Sequence, residues 1–223
     1  MLSIIKSMSL SGLDGYLIYV QVDVASGMPG WEIVGLPDVS VKESKERVKT
    51  AIKNSGYELQ SRKIVVNLAP ADTRKEGSFF DLPIAIGILV CIEAIKQKNL
   101  DNIAFVGELS LDGKLNKING ILPICIEAQR LGIKKIIIPI ENLKEASVVA
   151  NIEILGAKNL KQVVSYLNED KFEQEYIKDD DDTKIDKIKY YQQVQVKINS
   201  YLKPLHFIRL EIFNYFRFLI FIL

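Results

Sequence analysis

Hydrophobic and polar positions along residues 1–168 switch between two periods. Residues 4–10 and 16–24 carry β-branched and aromatic side chains at strand spacing, separated by a turn at 12–15. A second turn, Gly27-Met-Pro-Gly30, precedes a short strand at 31–34. After Gly35-Leu-Pro-Asp38 a helical period takes over. Val41, Val48, Ala51 and Ile52 form its apolar face, and Asn54-Ser-Gly56 ends it. Ser40 and Glu43 stand at capping-box spacing, and Glu43/Arg47 and Lys42/Glu46 form i,i+4 pairs on the wet side. Residues 63–68 are a Val/Ile-rich strand that flows into the loop Ala69-Pro-Ala-Asp72. A second helix opens near Asp81, with Pro83 in its first turn where a missing N–H costs little, and runs to about Gln97.

Phe105 begins a further strand, and residues 110–113 make a hairpin-like turn. Ile121, Ile124, Cys125, Ala128 and Leu131 mark a third helix over 120–131, with Gly132 in the left-handed position that follows a helix. Residues 134–138 are apolar on both faces, as a parallel strand requires. A short helix from Glu141, a strand at 153–155 and a helix at 160–167 complete the series. Strand–helix–strand repetition with short links predicts an α/β layer fold with right-handed crossovers. From Glu169 the texture changes: residues 169–189 are dense in charge, and 207–223 are rich in Phe and Ile. The expected division is a domain at 1–168 followed by an irregular tail at 169–223, a charged linker and an apolar end without fixed structure. That end is short for a membrane span and carries Arg209, Glu211, Asn214 and Arg217, so membrane attachment is not expected.

Composition narrows the function classes. Lys and Arg number 29 against 28 acids, a formal charge of +1, so no global field draws the chain to DNA, and any such contact needs a local patch. Cys91 and Cys125 lie in apolar helical patterns and are expected to be buried free thiols. With His206 the single histidine, no structural zinc site can be assembled. Residues 1–13 are broken by Lys6 and serines and do not read as a signal peptide, so a cytoplasmic location is expected.

Three chemistries bear on these residues. A phosphate-cradling loop needs glycines at fixed spacing followed by Lys and Ser/Thr. Gly107 to Gly113-Lys114 has five intervening residues, and Leu115 in place of the hydroxyl. It is a decoy. For nucleophilic catalysis, Ser78 stands just before a helix whose N-terminus would favour an oxyanion, with a lysine as the conceivable base. The plainer reading, preferred here, is that Ser78 and Asp81 cap that helix. The loop Asp72-Thr-Arg-Lys-Glu-Gly-Ser78 clusters charge, and Arg74 and Lys75 could meet phosphate or form a solvated face.

Six ordered segments carry a resemblance. They are Ile33-Val-Gly-Leu-Pro-Asp38, Glu43-Ser-Lys-Glu-Arg-Val48, Val66-Asn-Leu-Ala-Pro-Ala-Asp72, Lys75-Glu-Gly-Ser-Phe-Phe-Asp-Leu-Pro-Ile-Ala85, Gly107-Glu-Leu-Ser-Leu-Asp-Gly-Lys114 and Gly120-Ile-Leu-Pro123. Over residues 1–168 the chain resembles the N-terminal domain of the magnesium-chelatase-like competence proteins of the ComM/YifB type. The resemblance implies a fold similar to the Lon proteolytic domain and to ribosomal protein S5 domain 2. Full-length members are AAA+ ATPases that use ATP and Mg, thought to form hexameric rings that move branched DNA during natural transformation. The family continues into a P-loop module, which this sequence does not resemble after about Lys178, as expected of a truncated or frame-disrupted product. Aligned by hand with Lon, Phe79 falls where the nucleophilic serine lies and Leu122 where the lysine lies.

The expectation is therefore a domain with no catalytic, cofactor-binding or metal-binding residues on this chain. Its role would be self-association and DNA contact through Asp72, Arg74, Lys75, Glu76, Ser78 and Asp81. Two alternatives stand beside it: a serine–lysine peptidase-like hydrolase centred on Ser78, and a truncated remnant without function.

Overall fold

The computed structural model describes residues 1–12, 14–59, 62–96 and 100–169. The expected linker and tail, 170–223, lie outside the described residues, and so does His206. Among the described residues nine strands run in chain order: β1 (Leu2–Ser11), β2 (Asp14–Ala25), β3 (Gly30–Val34), β4 (Lys63–Ala69), β5 (Ile103–Phe105), β6 (Glu108–Leu109), β7 (Leu115–Asn116), β8 (Lys135–Pro139) and β9 (Glu153–Ala157). Among the same residues five α-helices interleave with them: α1 (Val39–Asn54), α2 (Asp81–Cys91), α3 (Ile121–Arg130), α4 (Leu143–Ala146) and α5 (Leu160–Glu169).

Seven strands form one sheet in the order β3-β4-β2-β1-β5-β8-β9, and β6 and β7 pair as a separate hairpin. β1 with β2 and β2 with β4 are antiparallel, while the other neighbours in the large sheet are parallel. The α/β class expected from the repeating pattern holds, with a mostly parallel sheet flanked by helices. The long β1–β2 meander at its centre makes the sheet mixed. It arises because Gly12 takes φ +63° at the turn, which lets the chain double back directly.

Register decides which helix covers which face. Ser3 pairs with Val22, and Leu10 with Gly15. Since side chains alternate along a strand, these two pairs point to opposite sides. The Ser3 hydroxyl donates to the Gly87 carbonyl at 2.9 Å, which places α2 on one face. A Cβ on Gly87 would stand 2.6 Å from the Val22 side chain, so the absent side chain is what lets helix and sheet approach. On the other face, a Cβ at Gly15 would meet the Glu127 side chain at 2.7 Å and one at Gly120 the Leu10 side chain at 2.4 Å. That face belongs to α3. Among the described residues, no helix is long and apolar enough to cross a membrane.

Helix boundaries show where local pattern and tertiary packing part. The end of α3 follows expectation: Gly132 takes φ +74°, and the Gly132 and Ile133 amides donate to Gln129 and Ala128 carbonyls at 3.0 Å each. β8 also follows, buried from Ile136 to Pro139 between two parallel neighbours. α1 starts two residues earlier than predicted. Asp38 is its N-cap, accepting the Val41 amide at 2.7 Å, so Ser40 falls inside the helix and the Ser40/Glu43 capping box does not form. α2 ends at Cys91, short of the predicted Gln97, and every one of its residues is buried. It lies between the sheet and α1, so it is apolar all round and shows no single face. Cys91 and Cys125 are free and buried, as expected.

Candidate functional site

The loop singled out by its charge runs from the end of β4 to the start of α2. It begins at a cis Ala69–Pro70 bond and reaches Lys75, whose backbone makes a parallel bridge with Pro37. The Lys75 amide donates to the Leu36 carbonyl at 3.1 Å, and the Lys75 carbonyl accepts from the Asp38 amide at 3.0 Å. Asp38 secures the junction from its side chain too, with one carboxylate oxygen capping α1 and the other accepting the Gly77 amide at 3.4 Å.

Packing splits the six predicted contact residues. Asp72, Arg74 and Glu76 are exposed, and Arg74 pairs with Glu76 at 3.4 Å. Lys75 is fully buried. Its Nζ donates to the Pro70 carbonyl, and to the Thr73 carbonyl at 2.6 Å. Burial lowers its pKa, against the pull of Asp72. The sequence left open a phosphate contact or a solvated face for Lys75; its side chain is not on a solvated face, and its ammonium closes its own loop. Ser78 is half-buried, and its hydroxyl donates to Glu108, whose other carboxylate oxygen accepts from Asn116 at 3.0 Å.

Asp81 is fully buried at the first turn of α2. Arg47 crosses from α1 and donates Nε to one carboxylate oxygen at 2.8 Å and a terminal nitrogen to the other at 3.1 Å. The Leu109 amide of β6 donates to the same carboxylate at 3.2 Å. Burial raises the Asp81 pKa to about 6, with Arg47 and the Leu109 amide opposing. The hydrogen bond to Asp81 in turn holds Arg47 charged. Two readings are corrected by this cluster. Ser78 and Asp81 do not cap α2 with their side chains, because Glu108 and Arg47 claim them first. Arg47 is not on a wet face, and its contact with Glu43 is a loose 4.0 Å.

Gly107 joins the hairpin to the helix start, its amide donating to the Phe79 carbonyl and its carbonyl accepting from the Leu82 amide, both at 2.9 Å. The segment that imitated a phosphate loop is this hairpin, with Lys114 paired to Asp112 at 2.8 Å. Phe79, aligned with the Lon nucleophile, stacks at a tilt on Phe80 with ring centres 4.8 Å apart. Leu122, aligned with the Lon lysine, lies in the first turn of α3. The sequence reading missed Arg47, Glu108 and Asn116. Their membership depends on contacts 8 to 34 residues apart along the chain; Arg47 and Glu108 lie inside the quoted motif segments, which mark the residues but not their partners.

Comparison with known proteins agrees with these motifs. The family described as subunit ChlI of Mg-chelatase matches residues 20–142. Competence protein ComM of Haemophilus influenzae is 40% identical over 167 residues, covering 75% of this chain and 33% of ComM. YifB of Escherichia coli is 41% identical over 166 residues, covering 74% of this chain and 33% of YifB. Lon protease 2 of Bacillus subtilis is 32% identical over 127 residues, covering 55% of this chain and 22% of the protease. The chain thus spans about a third of the length of the ComM and YifB relatives it matches. It belongs to the family of Mg-chelatase subunit ChlI and carries the N-terminal domain of the ComM/YifB type.

Proposed function

We propose that residues 1–168 are a non-catalytic interaction module of a ComM/YifB-like AAA+ ATPase that moves branched DNA, and that the module works by self-association. ATP and Mg would be handled outside this domain. The observation that carries the reading is the engagement of the polar groups at the start of α2. Lys75 is turned onto the carbonyls of Pro70 and Thr73, and Ser78 onto Glu108, so neither serves the other as base or nucleophile. Phe79 and Leu122 supply no nucleophilic oxygen and no basic nitrogen where Lon has them. The groups left exposed on the loop are the mixed-sign pair Arg74 and Glu76 with Asp72. A surface of both signs suits a protein partner, such as a second copy, better than a phosphate backbone. Sedimentation of the 223-residue chain, with and without a branched DNA, tests this. Concentration-dependent association that Arg74→Glu weakens is the expected result. A strict monomer at every concentration would overturn it.

A further inference from the structure

The large sheet is unevenly covered. On the face that carries Leu10 and Gly15, α3 packs over one end of β1 and β2. Farther along the same strands that face is open to solvent, and register fixes which side chains share it. One row across the sheet is Ile4 of β1, Gln21 of β2, Asn67 of β4 and Val34 of β3. The next row is Leu2, Asp23, Val65 and Glu32, in the same strand order. Leu2, Ile4 and Val34 are 58%, 49% and 45% exposed, whereas Ile5, Val22 and Val66, which point to the other face, are at most 1% exposed. Polar groups inside the rows are already partnered: the Asn67 amide donates to Gln21 at 2.8 Å, and Asp23 pairs with the Met1 amine at 3.4 Å. Two charges are left over. Glu32 and Lys63, which lies two residues before Val65 and so on the same face, are both exposed at the β3–β4 corner. Neither side chain makes a hydrogen bond or ion pair among the described residues.

We infer that this open sheet face packs against the same face of a second copy of the chain, about a two-fold axis that sets Glu32 of each copy opposite Lys63 of the other. Leu2, Ile4, Val34 and Val65 supply apolar surface whose burial drives the contact. Gln21, Asn67 and Asp23 keep their own partners when water leaves, so covering them costs little hydrogen bonding. Glu32 and Lys63 choose the occupant. They are of opposite sign at one corner, and a two-fold axis turns that corner into two ion pairs between copies. A phosphate backbone would instead meet Glu32 and Asp23 as like charge. Size sets the strength. Four strands about 4.8 Å apart and about 20 Å of strand length give a footprint of about 15 by 20 Å, small for a specific interface, so the contact is reversible and concentration-dependent. Being isologous, it closes at two copies. This face is distinct from the 72–78 loop, although its use rests on the same reading, that copies of the domain associate.

Sedimentation equilibrium of the 223-residue chain tests this by charge reversal. In Glu32→Lys alone, or Lys63→Glu alone, like charges face each other twice across the contact, and the dissociation constant is expected to rise about tenfold or more. An equimolar mixture of the two variants restores both pairs between unlike copies and should associate as the wild type does. Both positions are exposed, and unchanged thermal midpoints check that the fold is kept. Association that neither reversal weakens, or a mixture that associates no better than its parts, overturns the inference and leaves self-association through the loop, read by Arg74→Glu, standing. A wild-type chain that is monomeric at every concentration overturns both and leaves the face to a partner other than a copy of this chain.

Discussion

Arg47 and Asp81 meet across 34 residues of sequence, guanidinium to carboxylate, through two hydrogen bonds of 2.8 and 3.1 Å. The carboxylate is wholly buried, while the guanidinium keeps 23% of its side-chain surface exposed. The pair ties α1 to the start of α2, and through the Leu109 amide it also ties both to the β6–β7 hairpin. It adds to the Asn54 amide bond to the Leu111 carbonyl and the Leu82 amide bond to the Gly107 carbonyl, which already join these elements.

Removing one partner leaves the other charge without compensation. Arg47→Ala strands a buried carboxylate and is expected to lower stability by about 3 kcal/mol, the low end for a broken buried pair because Arg47 is partly hydrated. Arg47→Ala combined with Asp81→Asn should cost less than the sum of the two single changes, since Asn carries no charge to strand. Urea unfolding of the four proteins in the cycle reads both quantities.

The pair also makes stability depend on pH. Folding raises the Asp81 pKa from 3.8 to about 6, so between these values the folded chain holds a proton that the unfolded chain has lost. A raised carboxyl contributes stability that is complete below about pH 4 and declines as pH rises through about 6. Relative to Asp81→Asn, the wild-type chain should lose up to about 3 kcal/mol over that window. Denaturant midpoints at pH 4, 5, 6 and 7 check it. A difference that grows with rising pH has the wrong sign.

Ser78 is bound to Glu108 as a structural donor. Ser78→Ala should cost about 1 kcal/mol, and a fluorophosphonate probe should leave Ser78 unlabelled in the intact chain. Peptide mapping by mass spectrometry decides the second point. A labelled Ser78 would revive the hydrolase reading.

Gly35 sits at φ +96°, and a Cβ there would stand 2.3 Å from the Leu68 carbonyl oxygen. Backbone cannot give way as a side-chain tip can. Gly35→Ala should lower stability by at least about 2 kcal/mol, visible as a fall in Tm or as insoluble expression. At Gly12, where nothing lies within 4 Å, the same change meets only the strain of φ +63° and should cost less.

What could be read in advance was whatever repeats locally. The 3.6-residue spacing of Ile121, Ile124, Cys125 and Ala128, the glycine at 132, and the run of isoleucines at 136–138 each declare their element within a few residues. So did the family motifs, which are contiguous words. Partner choice was not legible. Local spacing offers Arg47 the neighbour Glu43, four residues away and 67% exposed, and the folded chain instead gives it Asp81, which water cannot reach. Desolvation makes the distant carboxylate the stronger partner, and only the closed tertiary structure creates that desolvation. The same holds for Lys75, a surface residue by composition, which the Pro37 bridge draws into the interior where its own loop carbonyls must satisfy it. Periodicity along the chain set the elements and their order. Burial, which depends on every element at once, set which charges are structural and which stay free to meet another molecule.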